Sequence, residues 1–172
     1  MKLYHGSTVG VETPDLQKCR PNTDFGQAFY TTTSFEQSAK WAKIKQRRAT
    51  LESAVVSEFE IDENILHSEA YKVRFFEKAT KDWLEFVINN RRGIESKEKY
   101  DFVMGPVAND SLYATILLYE QGVITADAAI EQLKTHTLFD QLSFHTEKAL
   151  ANLKYVKMIT VCSKSEEVLS LQ

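Results

Sequence analysis

Apolar and polar positions along this chain fall into short alternating runs and longer stretches of three-to-four spacing, and the two periods follow one another irregularly. Leu3-Tyr4-His5-Gly6-Ser7 reads as a short strand ending in an imidazole and a glycine. Residues 8 to 25 hold Gly10, Pro14, Pro21, Asn22 and Asp24, a concentration of turn formers that predicts an extended loop. A second strand follows within Gly26-Gln27-Ala28-Phe29-Tyr30-Thr31-Thr32-Thr33. Ser34-Phe35-Glu36-Gln37 has the spacing of a capping box, with Ser34 satisfying an early helix N–H and Gln37 reaching back to the serine's own. The helix it opens is expected from about Phe35 to Arg48. Ser38, Trp41, Ala42 and Lys45 fall three or four apart on it, which predicts a shared face for Ser38 and Trp41, turned over the strand that carries Tyr30.

Farther along, Ala54 to Ile61 is rich in β-branched and aromatic residues and predicts a strand closed by an Asp62-Glu63-Asn64 turn. Another short strand is expected within Ala70 to Phe76. Thr80 caps a helix to about Asn90, stopped by Gly93, whose aromatic residues read as core. Tyr100 to Val107 is an apolar run closed by Gly105 and Pro106. Ser111 begins a helix that Gly122 ends, and Thr125 caps another from Ala126 to about Lys134. Gln141 to His145 alternates as a strand, Thr146 caps a helix through Leu153, and Tyr155 to Val161 gives a last strand. Strands broken by helices at irregular intervals, with no βαβ regularity and no glycine-rich phosphate loop, predict an α+β fold.

Composition narrows this picture. At 172 residues, with 43% hydrophobic and 26% charged side chains, the chain is expected to form one domain over residues 1–172. A net charge of -3 argues against a protein that holds nucleic acid mainly by neutralising phosphates. Cys19 and Cys162 stand far apart with no metal-ligand spacing, so free thiols and no metal site are expected. Met1 leads straight into a strand-like Lys2-Leu3-Tyr4 without an apolar h-region or a small-residue cleavage site, and no run approaches membrane-spanning length, so the expectation is a soluble, cytoplasmic protein without membrane contacts.

Candidate chemistry lies in the order of residues that are ordinary singly. His5 at a strand end reads alone as a structural histidine, and Trp41 on a helix reads alone as core. Taken together, His5-Gly6-Ser7 on one strand, Gly26 to Tyr30 on the next, and Ser38-Ala39-Lys40-Trp41 on the following helix resemble the NAD pocket of the ADP-ribosyltransferases. The resemblance is to the diphtheria-toxin and poly(ADP-ribose) polymerase branch, in which the order is His-Gly-Ser, Gly-x-x-x-Tyr and Ser-x-x-Tyr with a glutamate on a late strand. Trp41 stands here in place of the second tyrosine. The whole pattern, with Gly105-Pro106-Val107-Ala108 and Gln141-Leu142-Ser143-Phe144-His145-Thr146-Glu147-Lys148, also resembles a bacterial family of ADP-ribosyltransferase-like domains, across nearly all of residues 1 to 160.

That resemblance implies a split core of short, mostly antiparallel strands flanked by helices. It implies that His5 bonds an NAD ribose hydroxyl, that Gly6 and Ser38 hold the carboxamide, that Ser7 is among the NAD-binding residues, and that Tyr30 and Trp41 sandwich the nicotinamide ring. Where the family places its catalytic glutamate, this chain has Gln141. An amide can position a ribose hydroxyl, but it offers no full charge to an oxocarbenium-like transition state and removes no proton. The expected catalytic set is therefore His5, Tyr30 and Gln141. Asp110, Glu147 and Asp140 are competing places for an acid, each also explained by capping or turn chemistry.

The implied activity is mono-ADP-ribosyl transfer from NAD to a macromolecular acceptor, protein or nucleic acid. The implied biology is a bacterial effector such as the toxin of a toxin–antitoxin pair, with a cognate antitoxin protein as partner. Two other readings stay open: a catalytically weak NAD-binding sensor, which the missing acid favours, and a protein-interaction domain whose pocket residues are core.

Overall fold

In a computed structural model of the chain, residues 1–50, 53–94, 96, 98–107, 110–134 and 140–161 are described, with 110–113 and 133–134 described by backbone alone. Seven strands form one sheet: β1 (Lys2–Ser7), β2 (Phe29–Thr32), β3 (Val55–Glu60), β4 (Val73–Phe75), β5 (Phe102–Pro106), β6 (Asp140–Phe144) and β7 (Lys154–Thr160), in the spatial order β4-β5-β6-β2-β1-β3-β7. Five α-helices accompany it among the described residues: α1 (Phe35–Ala49), α2 (Lys81–Arg91), α3 (Asp110–Glu120), α4 (Ala126–Lys134) and α5 (Glu147–Leu150).

Local signals explain most of these boundaries. Thr80 accepts from the Trp83 N–H at the start of α2, Thr125 from Ala128 at the start of α4, and Thr146 from Ala149 at the start of α5. Gly93 and Gly122 follow α2 and α3 with φ of 69° and 74°, the left-handed conformation that ends a helix. The helix expected through Leu153 stops at Leu150, where the Asn152 side-chain amide donates to the carbonyls of Lys148 and Ala149 and caps the turn. The turn expected at Asp62 is longer, a 3-10 helix over Glu63–His67 with the Asp62 carboxylate on the Asn64 N–H. The pairs are antiparallel with one exception: β4 and β5 run parallel with α2 between them, a single βαβ unit in a sheet that has no βαβ regularity.

Alternation sends successive side chains to opposite faces. On one face Leu3, Phe29, Phe59, Phe102, Leu142 and Phe144 pack with Leu66, Ala149 and Leu150. On the other, Val103 packs under Trp83, Leu84, Val87 and Ile88 of α2, with Phe25, Ile116 and Ala129. Trp83 is fully buried, so the aromatic residues of α2 are core as expected.

One join in the sheet is different. β1 pairs with β3 along its whole length, and β2 with β6 along all of its own, but β1 and β2 meet at the single pair Tyr4↔Thr32. The sheet thus has two halves, β7-β3-β1 and β2-β6-β5-β4. Beyond that pair the strands part toward Ser7 and Phe29, the ends that residues 8–28 connect.

Candidate functional site

The parting brings only some of the candidates near one another: His5 shares the sheet face of Leu3 and Phe29, whereas Tyr30 and Gln141 turn to the opposite face. Gly6 lies where α1 rests directly on β1: a Cβ there would stand 2.0 Å from the Ser38 carbonyl oxygen and 3.1 Å from the Ala42 nitrogen. Only a residue without a side chain admits the helix so close. Ser38 is buried in that contact, its hydroxyl donating to the Phe35 carbonyl at 2.8 Å. Ser34 caps α1 as expected, accepting from Gln37 N, but its own N–H goes to the Thr32 hydroxyl at 3.2 Å rather than to the Gln37 side chain. Ser7 ends β1 opposite Val55, half-buried.

His5 bridges the two halves. Its Nδ1 lies 2.7 Å from the Tyr30 carbonyl oxygen, and its ring stacks on Phe29 with centroids 4.5 Å apart. Desolvation, reinforced by the positive charge of Lys45, lowers its pKa to about 4 against the pull of the Tyr30 carbonyl. The ring is therefore neutral at pH 7, and a carbonyl partner requires the proton on Nδ1. Nε2 is left as a lone-pair acceptor.

Tyr30 is held by its hydroxyl, which donates to the Gly26 carbonyl at 2.7 Å and accepts from the Phe25 N–H at 2.9 Å, with the Thr23 hydroxyl 2.8 Å away. Burial, with the nearby Asp24 charge, pushes the phenol pKa up and keeps it protonated. Asp24 is fixed in turn by Arg91 of α2, at 2.9 and 2.7 Å, both side chains mostly buried. The Tyr30 ring packs beside Phe25 on the α2 side of the sheet. Trp41 keeps different company: it is 41% exposed, with Lys45 Nζ 5.9 Å and the Arg48 guanidinium carbon 5.8 Å from its ring centroid. Ser38 and Trp41 are three apart on α1, yet one is buried on β1 and the other reaches solvent.

Gln141 opens the buried part of β6, opposite Thr32 on one side and Gly105 on the other. It is 7% exposed, and its Nε2 reaches the Pro106 carbonyl at a long 3.5 Å. His5, Tyr30 and Gln141 therefore stand on three successive strands, β1, β2 and β6. Glu147 is exposed in the first turn of α5, and Asp140 is exposed at the head of β6. Asp110 begins α3, and its side chain, with Asn109, lies outside the described residues. His145 is an internal brace. Ser143 donates to the Val103 carbonyl, so His145 Nε2, 2.8 Å from Ser143 Oγ, is the donor, and burial lowers the His145 pKa to about 4.

Lys45, read in the sequence only for its spacing from Ser38 and Trp41, touches one of the candidates. Lys45 reaches back from α1 and donates to the Gly6 carbonyl at 2.9 Å. Burial, and then the charge of Arg20 in the connection between β1 and β2, lowers its pKa to about 8. The signal was its spacing, four after Trp41 and seven after Ser38. Cys19 is a free, half-buried thiol whose pKa is raised by burial and by Asp15, and Cys162 lies outside the described residues.

Among the described residues no group of His, Cys, Asp and Glu could hold a metal ion, and no helix is long and apolar enough to cross a membrane. No curated protein and no solved structure matches the chain. A family model does match, over residues 1–155, and the chain belongs to that family, described as a protein of unknown function (DUF3990).

Proposed function

We propose that the chain is an NAD-dependent mono-ADP-ribosyltransferase with an ADP-ribosyltransferase-like fold, acting at the parting of β1 and β2. The observation that carries this reading is His5, a neutral ring fixed by the Tyr30 carbonyl with Nε2 left to accept a hydrogen bond. A ribose hydroxyl is a donor of that kind. The division of the sheet at Tyr4↔Thr32 and the helix laid on Gly6 support the fold assignment.

In this reading His5 orients the ribose through Nε2. The Gly6 carbonyl keeps a second lone pair beside the Lys45 bond, and it accepts the carboxamide N–H. Tyr30, locked by its hydroxyl, supplies a ring that does not reorganise during the reaction. Gln141, held only by a long bond to Pro106, turns its amide to a ribose hydroxyl. Bond cleavage is dissociative: the nicotinamide–ribose bond breaks with its electron pair leaving on nicotinamide, and a macromolecular nucleophile attacks the anomeric carbon and loses its proton.

The test is nicotinamide release from NAD by the purified protein, beside His5→Ala and with calorimetric NAD binding on the same samples. Release that disappears in His5→Ala supports the transferase. NAD binding without release, with candidate acceptors present, favours the second reading, a nucleotide sensor, for which the observation is the amide of Gln141 where a carboxylate would serve catalysis. Neither binding nor release sinks both and leaves the interaction domain.

A further inference from the structure

Charge is spread unevenly over this chain. Overall 21 lysines and arginines stand against 24 acids, but α1 alone carries Lys40, Lys43, Lys45, Arg47 and Arg48 against the single acid Glu36. A strongly basic helix is thus set in a mildly acidic chain. Lys40, Lys43 and Arg47 fall three and seven positions apart on one face, and Lys40 and Arg47 are exposed there. None of these three makes an ion pair among the described residues, whereas Lys81 and Arg91 of α2, and Arg92 just beyond it, pair with Glu85, Asp24 and Glu120.

Trp41 stands at the border of that face. Trp83 is fully buried, as a large ring in a domain of this size usually is, yet Trp41 is exposed, with the Arg48 guanidinium carbon 5.8 Å from its centroid. Phe35, the other large apolar side chain that α1 exposes, lies six positions away, about 120° around the helix. The two rings therefore make no apolar stripe, and the helix offers a single aromatic surface beside cations that have no acid to neutralise them.

We propose that this side of α1 binds single-stranded nucleic acid, with Lys40, Lys43 and Arg47 on phosphates and a base stacked on Trp41. A single strand brings both parts of the match, fixed negative charge and free aromatic faces. A duplex keeps its base faces stacked on one another, a bilayer would need the apolar stripe that is missing, and an acidic peptide would leave the tryptophan unused. Lys45, four positions after Trp41, bonds the Gly6 carbonyl, so the stacked base lies beside the end of β1. The surface goes beyond the NAD reading and does not depend on it.

The experiment is titration of the full chain with oligothymidylate and oligouridylate of about 12 nucleotides, within the span of a small single-strand site. Anisotropy of the labelled strand gives affinity at several salt concentrations. Tryptophan fluorescence gives contact, because Trp41 is the exposed one of the two rings and Trp83 is sealed in the core. A duplex of equal length, heparin, and vesicles of phosphatidylcholine and phosphatidylserine are the competing probes, and the variants are Trp41→Ala, Trp41→Phe and the pair Lys40→Gln with Arg47→Gln. Circular dichroism checks that each variant keeps its helix content.

Single strands are expected to quench Trp41 and to bind at least tenfold tighter than the duplex or heparin. Trp41→Ala is expected to weaken them about tenfold with the salt slope unchanged, and Trp41→Phe to retain most of the affinity. Loss of Lys40 and Arg47 is expected to make the slope of log affinity against log salt shallower by about 1.4. Absence of strand binding overturns the surface, as do equal affinities of the parent and Trp41→Ala, equal binding of heparin, or binding to the vesicles alone. The two proposals fail separately. Strand binding by a protein that neither binds nor cleaves NAD keeps this surface and removes the transferase, and NAD cleavage by a protein that binds no strand does the reverse.

Discussion

His5 Nδ1 sits 2.7 Å from the carbonyl oxygen of Tyr30, a side-chain bond spanning the one join of the sheet where main-chain pairing is reduced to Tyr4↔Thr32. The same atom pair fixes the tautomer and ties together the halves that carry the other candidates. Replacing His5 with Ala is expected to remove nicotinamide release and to cost about 1–3 kcal/mol of stability, measured by urea unfolding. His5→Gln, which can donate to Tyr30, is expected to recover part of the stability without the activity.

The histidines predict an acid limit to stability. His5 and His145 both titrate near 4 in the folded chain, below the ordinary 6.5. Between those values the unfolded chain binds protons that the native one refuses, so stability rises with pH through this window and is lost as pH falls from about 6.5 toward 4. Each ring contributes on the order of 3 kcal/mol across it. Urea midpoints at pH 7, 5.5 and 4.5 check this, and His145→Asn is expected to flatten the dependence.

Gly6→Ala is expected to destabilise the protein by about 3 kcal/mol or more, because its Cβ would meet the backbone of α1 at Ser38 rather than a movable side chain. Equal stability of Gly6→Ala and the parent would show that α1 can lift from β1 at little cost.

Tyr30→Phe keeps the ring and loses the hydroxyl that holds residues 23–26. Such a change is expected to cost about 1–3 kcal/mol in thermal unfolding, with the Phe25 N–H left without its partner. NAD affinity is expected to fall less than in Tyr30→Ala, which also removes the stacking face. Gln141→Ala is expected to lower turnover more than binding, and Gln141→Glu to raise turnover if transfer lacks only a charge at that place. A Gln141→Ala protein with full turnover would move the third role to Asp110 or Glu147.

Lys45→Met is expected to raise the thermal midpoint. Its pKa is lowered to about 8 from 10.5, so the native fold disfavours the charged amine, which both states carry at neutral pH.

The sequence made the helices legible because their ends are written locally: Ser34, Thr80, Thr125 and Thr146 cap, and Gly93 and Gly122 release. His5, Gly6, Tyr30 and Gln141 could be placed on their strands from alternation alone. Which strands become neighbours could not, because pairing of β2 with β6 joins residues more than a hundred positions apart, and nothing local records it. The parallel β4–β5 pair was hidden for a related reason, since β4 is three residues long and carries little period of its own. Trp41 shows the limit of helical spacing: three residues from buried Ser38, it still lies at the margin of the packed face. Lys45 was visible as a position and not as an interaction, because a lysine stem long enough to reach another element's carbonyl reads as a solvated end.

The nearly unpaired join between β1 and β2 also divides the molecule by amide protection. Most ladder hydrogen bonds are internal to β7-β3-β1 or to β2-β6-β5-β4, so each half is expected to exchange its amide hydrogens as its own cooperative unit. The Gly6 and Tyr30 amides at their border would then report the less stable of the two, and a ligand bridging the border would slow exchange in both halves at once.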